Sequence, residues 1–159
     1  MPDKPPPEEI ALWQRRLASQ ANNRAWSLSE LALRTPEEDE EMLQAAHAAM
    51  YFWRIAGNDN HRANAALLVA HVYALLGVPN HAEAFLAKAE PTFFSGNAEP
   101  SEVAFAHAVA ANVAAAKKDT ATHRAHYDKA FELMAQLPNP QDRKILEATL
   151  RILPKPYDR

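Results

Sequence analysis

The chain has 159 residues, 48% apolar and 23% charged, a composition that folds and buries a core. Its 17 basic and 20 acidic residues leave a net charge of −3, with no like-charged block longer than Glu37 to Glu41, which argues against nucleic-acid or anionic-membrane partners. The absence of cysteine excludes disulfides, thiol catalysis and cysteine-based zinc sites.

Only three glycines occur, alanine dominates the middle of the chain, and no segment alternates with the period-2 pattern of a strand. The fold class read from this is all-α. The opening MPDKPPPEE has no apolar run and so is not read as a secretory signal. No window reaches the roughly 18 apolar residues of a membrane span, which leaves a cytoplasmic location as the expectation.

Residues 1–7 carry four prolines and read as a disordered lead-in. Glu8 and Glu9 suit the positive end of a helix dipole, and Ile10, Trp13, Leu17, Ala21, Leu28 and Leu31 give that helix an apolar stripe to about Leu33. It is expected to run unbroken through Asn22. Thr35-Pro36-Glu37-Glu38 then combines an N-cap, a proline at the first helical position and the glutamate of a capping box. Met42, Ala46, Ala49, Met50 and Trp53 form the buried stripe of the second helix, which Gly57 should end at positive φ.

Asn58 or Asp59 caps a third helix running to Leu76 and closed by Gly77. Pro79-Asn80 starts a fourth helix, expected to reach about Ala89, and Phe93 to Asn97 reads as a loop. A fifth helix opens at Glu99-Pro100-Ser101-Glu102; its VAFAHAVAANVAAA core is apolar on nearly all sides, as in a helix buried between neighbours. Asp119 or Thr120 caps a sixth helix running to about Leu137. After Pro138-Asn139-Pro140 a short seventh helix covers 141–153, and 154–159 should fray. Short turns between seven helices force antiparallel neighbours in a single domain, 8–153.

Between Asn64 and Ala89, Val69, Ala70 and Tyr73 precede Gly77, and Ala82, Leu86 and Ala89 follow it. Small residues let two helices approach closely while large ones fill the gap. This hairpin resembles a tetratricopeptide (TPR) repeat. A second copy places Ala110, Ala111 and Ala114 before Lys118-Asp119, and His123, Tyr127 and Ala130 after it. Arg34 to Pro36, Met42-Leu43, Ala45 to Ala49, Trp53, Gly57 and His71 to Gly77 are also similar to a group of bacterial TPR-like proteins. The resemblance implies stacked hairpins in a right-handed superhelix, and it brings no activity with it.

In TPR-like folds the first helix of each hairpin lines a concave groove that holds a partner peptide. The resemblance therefore implies a groove face of Asn64, Leu67, His71 and Ala74 on the third helix, and Phe105, Ala108, Asn112 and Ala115 on the fifth. His71 and Asn112 would hydrogen-bond a peptide backbone there; the alternative is that each is a satisfied polar group between helices. The lysines and arginines of the carboxylate-clamp TPRs are missing from these faces.

Asp119, His123 and His126 share one helix face at i, i+4 and i+7, but no HExxH pattern accompanies them, and capping and packing account for them more simply. No metal or cofactor is expected. Trp26, Tyr51, Phe52 and Trp53, with His47, concentrate aromatic surface on the first two helices, and three consecutive aromatics cannot all face one way. No phosphate loop, GxSxG or carboxylate pair supports an enzyme. The resulting expectation is a non-enzymatic module that holds a peptide or helix in its groove. A homodimer through the aromatic face is the alternative, and a metal- or small-ligand-binding bundle a distant third.

Overall fold

In a computed structural model, residues 3–157 are described. They form seven helices: α1 (Pro7–Ser29), α2 (Pro36–Ala56), α3 (Asp59–Leu75), α4 (Pro79–Phe93), α5 (Pro100–Ala116), α6 (Thr120–Gln136) and α7 (Pro140–Ile152). There is no strand among the described residues.

The helix starts follow local chemistry. Thr35 and Glu38 form a reciprocal capping box, with Glu38 N–H donating to Thr35 Oγ1 at 3.2 Å and Thr35 N–H to Glu38 Oε2 at 2.9 Å. Asn58 and His61 do the same at α3, with the imidazole Nδ1 in the role usually taken by a glutamate. Asp119 and Asn139 accept from the first turns of α6 and α7.

Consecutive helices pair as hairpins, α1 with α2, α3 with α4 and α5 with α6. The first helices of the hairpins also touch one another: α3 lies against α1 and α5, and α5 against α7. The sides of α5 are therefore taken by α3, α4, α6 and α7, which is why its sequence is apolar nearly all round. Val69, Ala70, Ala82, Leu86 and Ala89 of the first repeat-like hairpin are buried, as are Ala110, Ala111, Ala114, Tyr127 and Ala130 of the second.

The two hairpins share a turn geometry. At Gly77 (φ 72°) the N–H of Gly77 reaches Ala74 O, and that of Val78 reaches Tyr73 O; at Lys118 (φ 61°) the N–H groups of Lys118 and Asp119 reach Ala115 O and Ala114 O. Both are Schellman closures with a left-handed residue one position past the C-cap. Lys118 thus takes, at some strain, the conformation that Gly77 takes freely.

Elsewhere the structure corrects the expected details. The buried face of α1 is Ala18, Ala25, Leu28 and Ser29, while Trp13 and Leu17 of the expected stripe are exposed. α1 packs on α2 with Ala25 and Leu28 clustered against Met42 and Ala46, which leaves Trp13 and Leu17 on the outward side of the helix. The helix is continuous through Asn22 and stops at Ser29, whose hydroxyl donates back to Trp26 O at 2.7 Å.

Gly57 sits at φ −97°, so it is not needed for a left-handed turn. It is needed for space, since a Cβ there would lie 2.6 Å from Trp53 O and 2.8 Å from His61 Cβ. α4 continues through Pro91 to Phe93, held by the fully buried Phe93 side chain, so the expected loop starts later. The tail 154–157 is packed rather than frayed. Pro154 O meets His123 Nε2 at 2.9 Å, and the Tyr157 hydroxyl donates to Asp128. Residues 158–159 of the expected tail and 1–2 of the expected lead-in lie outside the described residues. Among the described residues no helix is long and apolar enough to cross a membrane.

Candidate functional site: a cleft across the first helices of the hairpins

Because α1, α3, α5 and α7 lie side by side, residues at matched heights converge on one cleft of about 300 Å³. α1 contributes Asn23, Trp26 and Glu30, α3 Asn64, α5 Phe105, and α7 Ile145 and Thr149. On α1 the three residues fall at i, i+3 and i+7, one helix face; on α7 the spacing is i, i+4. The walls are thus an aromatic pair and an aliphatic side chain, with amides, a hydroxyl and one carboxylate among them.

Trp26 organises the floor. Its ring stacks on His71 with centroids 5.3 Å apart and planes at 30°, and it meets Phe105 edge-on at 6.0 Å and 73°. Asn64 Nδ2 donates to Asn60 O at 3.0 Å and to Glu102 Oε1 at 3.4 Å, and Asn60 Nδ2 donates to the same carboxylate oxygen at 2.8 Å. Those bonds tie α3 to the first turn of α5 and fix the Asn64 amide at the rim.

Beneath Trp26, His71 and Asn112 form a closed pair. Asn112 Nδ2 approaches His71 Nδ1 at 3.1 Å and His71 O at 3.4 Å. With the amide donating, Nδ1 is the acceptor and the neutral ring carries its proton on Nε2. That Nε2 is buried and has no hydrogen-bond partner among the described residues. Burial, helped by the positive charge of Arg34, lowers the pKa of His71 to about 3, so the ring stays neutral.

Of the eight residues expected on the groove face, the structure brings only Asn64 and Phe105 to the cleft; Ala74 and Ala108 are buried and Ala115 is half-buried away from it. Leu67, His71 and Asn112 are buried, at most 3% exposed, and are inaccessible to a partner. The physical reason is α1, which lies against α3 and places Trp26 over the positions that would otherwise line an open groove. His71 and Asn112 are core polar groups that join the two central helices, which corrects their expected place on a binding face. Asn23, Trp26, Glu30, Ile145 and Thr149 were not among the expected groove residues.

The remaining histidine clusters serve packing. Asp119 caps Thr122, His123 bonds the tail, and His126 Nδ1 lies 2.8 Å from His107 Nδ1, so the three residues of the i, i+4, i+7 set have separate partners. No cluster of three metal-capable side chains occurs among the described residues. One ring of the His107–His126 pair must donate and the other accept, and burial lowers both pKa values, that of His107 to about 4. In the aromatic run, Tyr51 is 60% exposed while Trp53 stacks flat on His61 at 4.1 Å.

The cleft offers binding chemistry: apolar walls for one side chain, amides for a backbone and a carboxylate for a charge. Compared with known proteins, the chain matches no family model, no curated protein and no solved structure.

Proposed function

We propose that the chain is a non-enzymatic protein-interaction module, a TPR-like stack of hairpins that holds a partner's peptide or helix along the face made by α1, α3, α5 and α7. One observation carries this reading: the first helices of three hairpins, together with α7, converge on one cleft with apolar walls and a polar rim. The matched closures at Gly77 and Lys118, 41 residues apart, favour the repeat reading, because equivalent positions in two hairpins end their first helices in the same way. A cytoplasmic location accompanies the proposal.

The test is selection of short peptides displayed on phage, followed by titration of winners against wild type and Ile145→Arg. Ile145 is 44% exposed at the cleft, so the arginine blocks the groove without emptying the core. Binding that is equal in both proteins would sink the reading.

The first hairpin supports a second one. Trp13, Leu17, Tyr51 and Ile55 of α1 and α2 are exposed, apolar area of the kind a homodimer covers. Light scattering across a concentration series decides it: a dimer dispersed by Tyr51→Asp supports self-association, and a monomer throughout refutes it.

A further inference from the structure

We infer that the cleft takes an arginine side chain of a partner peptide, with the aliphatic stem against Trp26, Phe105 and Ile145 and the guanidinium on Glu30. The inference rests on reading the cleft as a peptide groove and adds the chemistry of the residue that fills it.

Glu30 is the starting point. Among the described residues it is the one ionisable side chain lining the cleft, and none of their Lys, Arg or His side chains lines it. Among the described residues Glu30 has no ion pair or side-chain hydrogen bond. The nearest arginines in sequence have other partners: Arg24 holds Glu41 through two hydrogen bonds of 2.6 and 2.8 Å, and Arg34 holds Asp39 at 2.6 Å and donates to Leu31 O at 3.4 Å.

The backbone adds to the same field. Glu30 is the C-cap of α1, and the last turn of that helix contains no basic residue. A helix C-terminus is the negative end of the dipole, where unsatisfied carbonyls favour a cation and disfavour a carboxylate. Placing Glu30 there, unpaired, concentrates negative potential at the mouth of an apolar cleft. Arg34 already donates to Leu31 O at this helix end, so what a cation from outside the chain adds is a partner for the Glu30 carboxylate.

The walls select among cations. A long, apolar stem that ends in a charge matches a cleft with apolar walls and a charged rim, which is the build of Lys and Arg. Two aromatic rings and a carboxylate favour Arg of the two, because its planar guanidinium stacks on rings and binds a carboxylate through two parallel hydrogen bonds. Asn64, whose Nδ2 is already engaged, retains Oδ1 to accept another guanidinium N–H.

The experiment takes peptides from a displayed library selected on the full chain and measures each by fluorescence anisotropy against wild type, Glu30→Gln and Ile145→Arg. Each is also resynthesised with its arginine replaced by lysine or by uncharged citrulline. The expected result is enrichment of arginine, a loss of about tenfold or more with citrulline and with Glu30→Gln, and a smaller loss with lysine. The citrulline arm uses unaltered protein, so a folding defect in a variant cannot imitate it. Peptides that need Ile145 but tolerate citrulline and Glu30→Gln would overturn the arginine inference and leave the groove reading standing. Selection that yields no peptide sensitive to Ile145→Arg overturns both.

Discussion

His71 makes the stability of the protein depend on pH in a calculable way. Its pKa is lowered from 6.5 to about 3, first by burial under Trp26 and then by Arg34. A histidine whose folded pKa is depressed is protonated in the unfolded chain but not in the native one at any pH between those values. The unfolded state then binds the extra proton, so stability rises with pH in that window and falls on acidification, by about 1.4 kcal/mol per pH unit for one full proton. Between pH 6.5 and 5 the loss from His71 alone comes to about 1.6 kcal/mol, because the unfolded histidine is only half charged at the upper limit; a typical stability is about 5–15 kcal/mol. His47, His107 and His126 are lowered too and act in the same direction, so a variant is needed to isolate the term. His71→Gln is suitable, because glutamine keeps an acceptor for Asn112 and does not titrate. Urea unfolding at several pH values from 7.5 to 5 gives the comparison. His71→Gln should be less stable than wild type near pH 7.5, and the gap should close by about 1.4 kcal/mol per unit once the unfolded histidine charges. The carboxyls of Glu41, lowered by its hydrogen bond from Arg24, and of Asp119, lowered by its hydrogen bond from Thr122, are present in both proteins, so their contribution cancels in the comparison. Parallel curves for the two proteins would show that His71 is not buried neutral, and the account of the α3–α5 pair would fail with it.

Three further outcomes rest on single positions. Lys118→Gly should raise stability by about 0.5–1 kcal/mol by relieving a left-handed non-glycine residue, while Gly77→Ala should cost about 1–2 kcal/mol. No atom lies within 4 Å of a Cβ at Gly77, so that cost is conformational, and opposite signs of the two changes in thermal melts are the check. Gly57→Ala should cost about 1–3 kcal/mol for the opposite reason, steric conflict with Trp53 O and His61 Cβ, and unchanged near-ultraviolet dichroism and melting would refute it. Glu30→Gln should stabilise the unliganded protein by about 0.3–1 kcal/mol, since it removes an unpaired charge from the unfavourable end of α1; a destabilised variant would mean that Glu30 has a structural role.

The helices themselves were legible because their signals are local. A capping box at Thr35, prolines at first helical positions and a left-handed residue at Gly77 act within one turn of chain, and all appear where the residues imply. What failed needed knowledge of neighbours. Trp13 and Leu17 sit at helical spacing, yet α1 packs Ala25 and Leu28 against α2 and leaves those two exposed. Glycine at the end of α2 looked conformational and proved steric, a distinction that depends on where Trp53 and His61 lie. The fourth helix was expected to end near Ala89, yet the burial of Phe93 carries α4 through Pro91.

The cleft shows the same limit more sharply. Asn64, His71 and Asn112 were visible as polar residues on apolar helices, and the structure brings His71 and Asn112 into a 3.1 Å contact. Whether such a pair faces a partner or the core depends on what covers it, and the cover is Trp26, from a helix 45 residues earlier in the chain. Trp26 carried no mark to separate it from other aromatics at helical spacing. Once it is set on His71, the polar pair becomes the floor behind the cleft and the binding surface passes to residues around it. Glu30 then stands out through a conflict: an acid at the negative end of a helix, half-buried beside aromatic side chains and, among the described residues, without a partner. Local rules that a chain breaks at no structural gain are where a function is best sought, which makes Glu30 rather than His71 the residue on which to test binding.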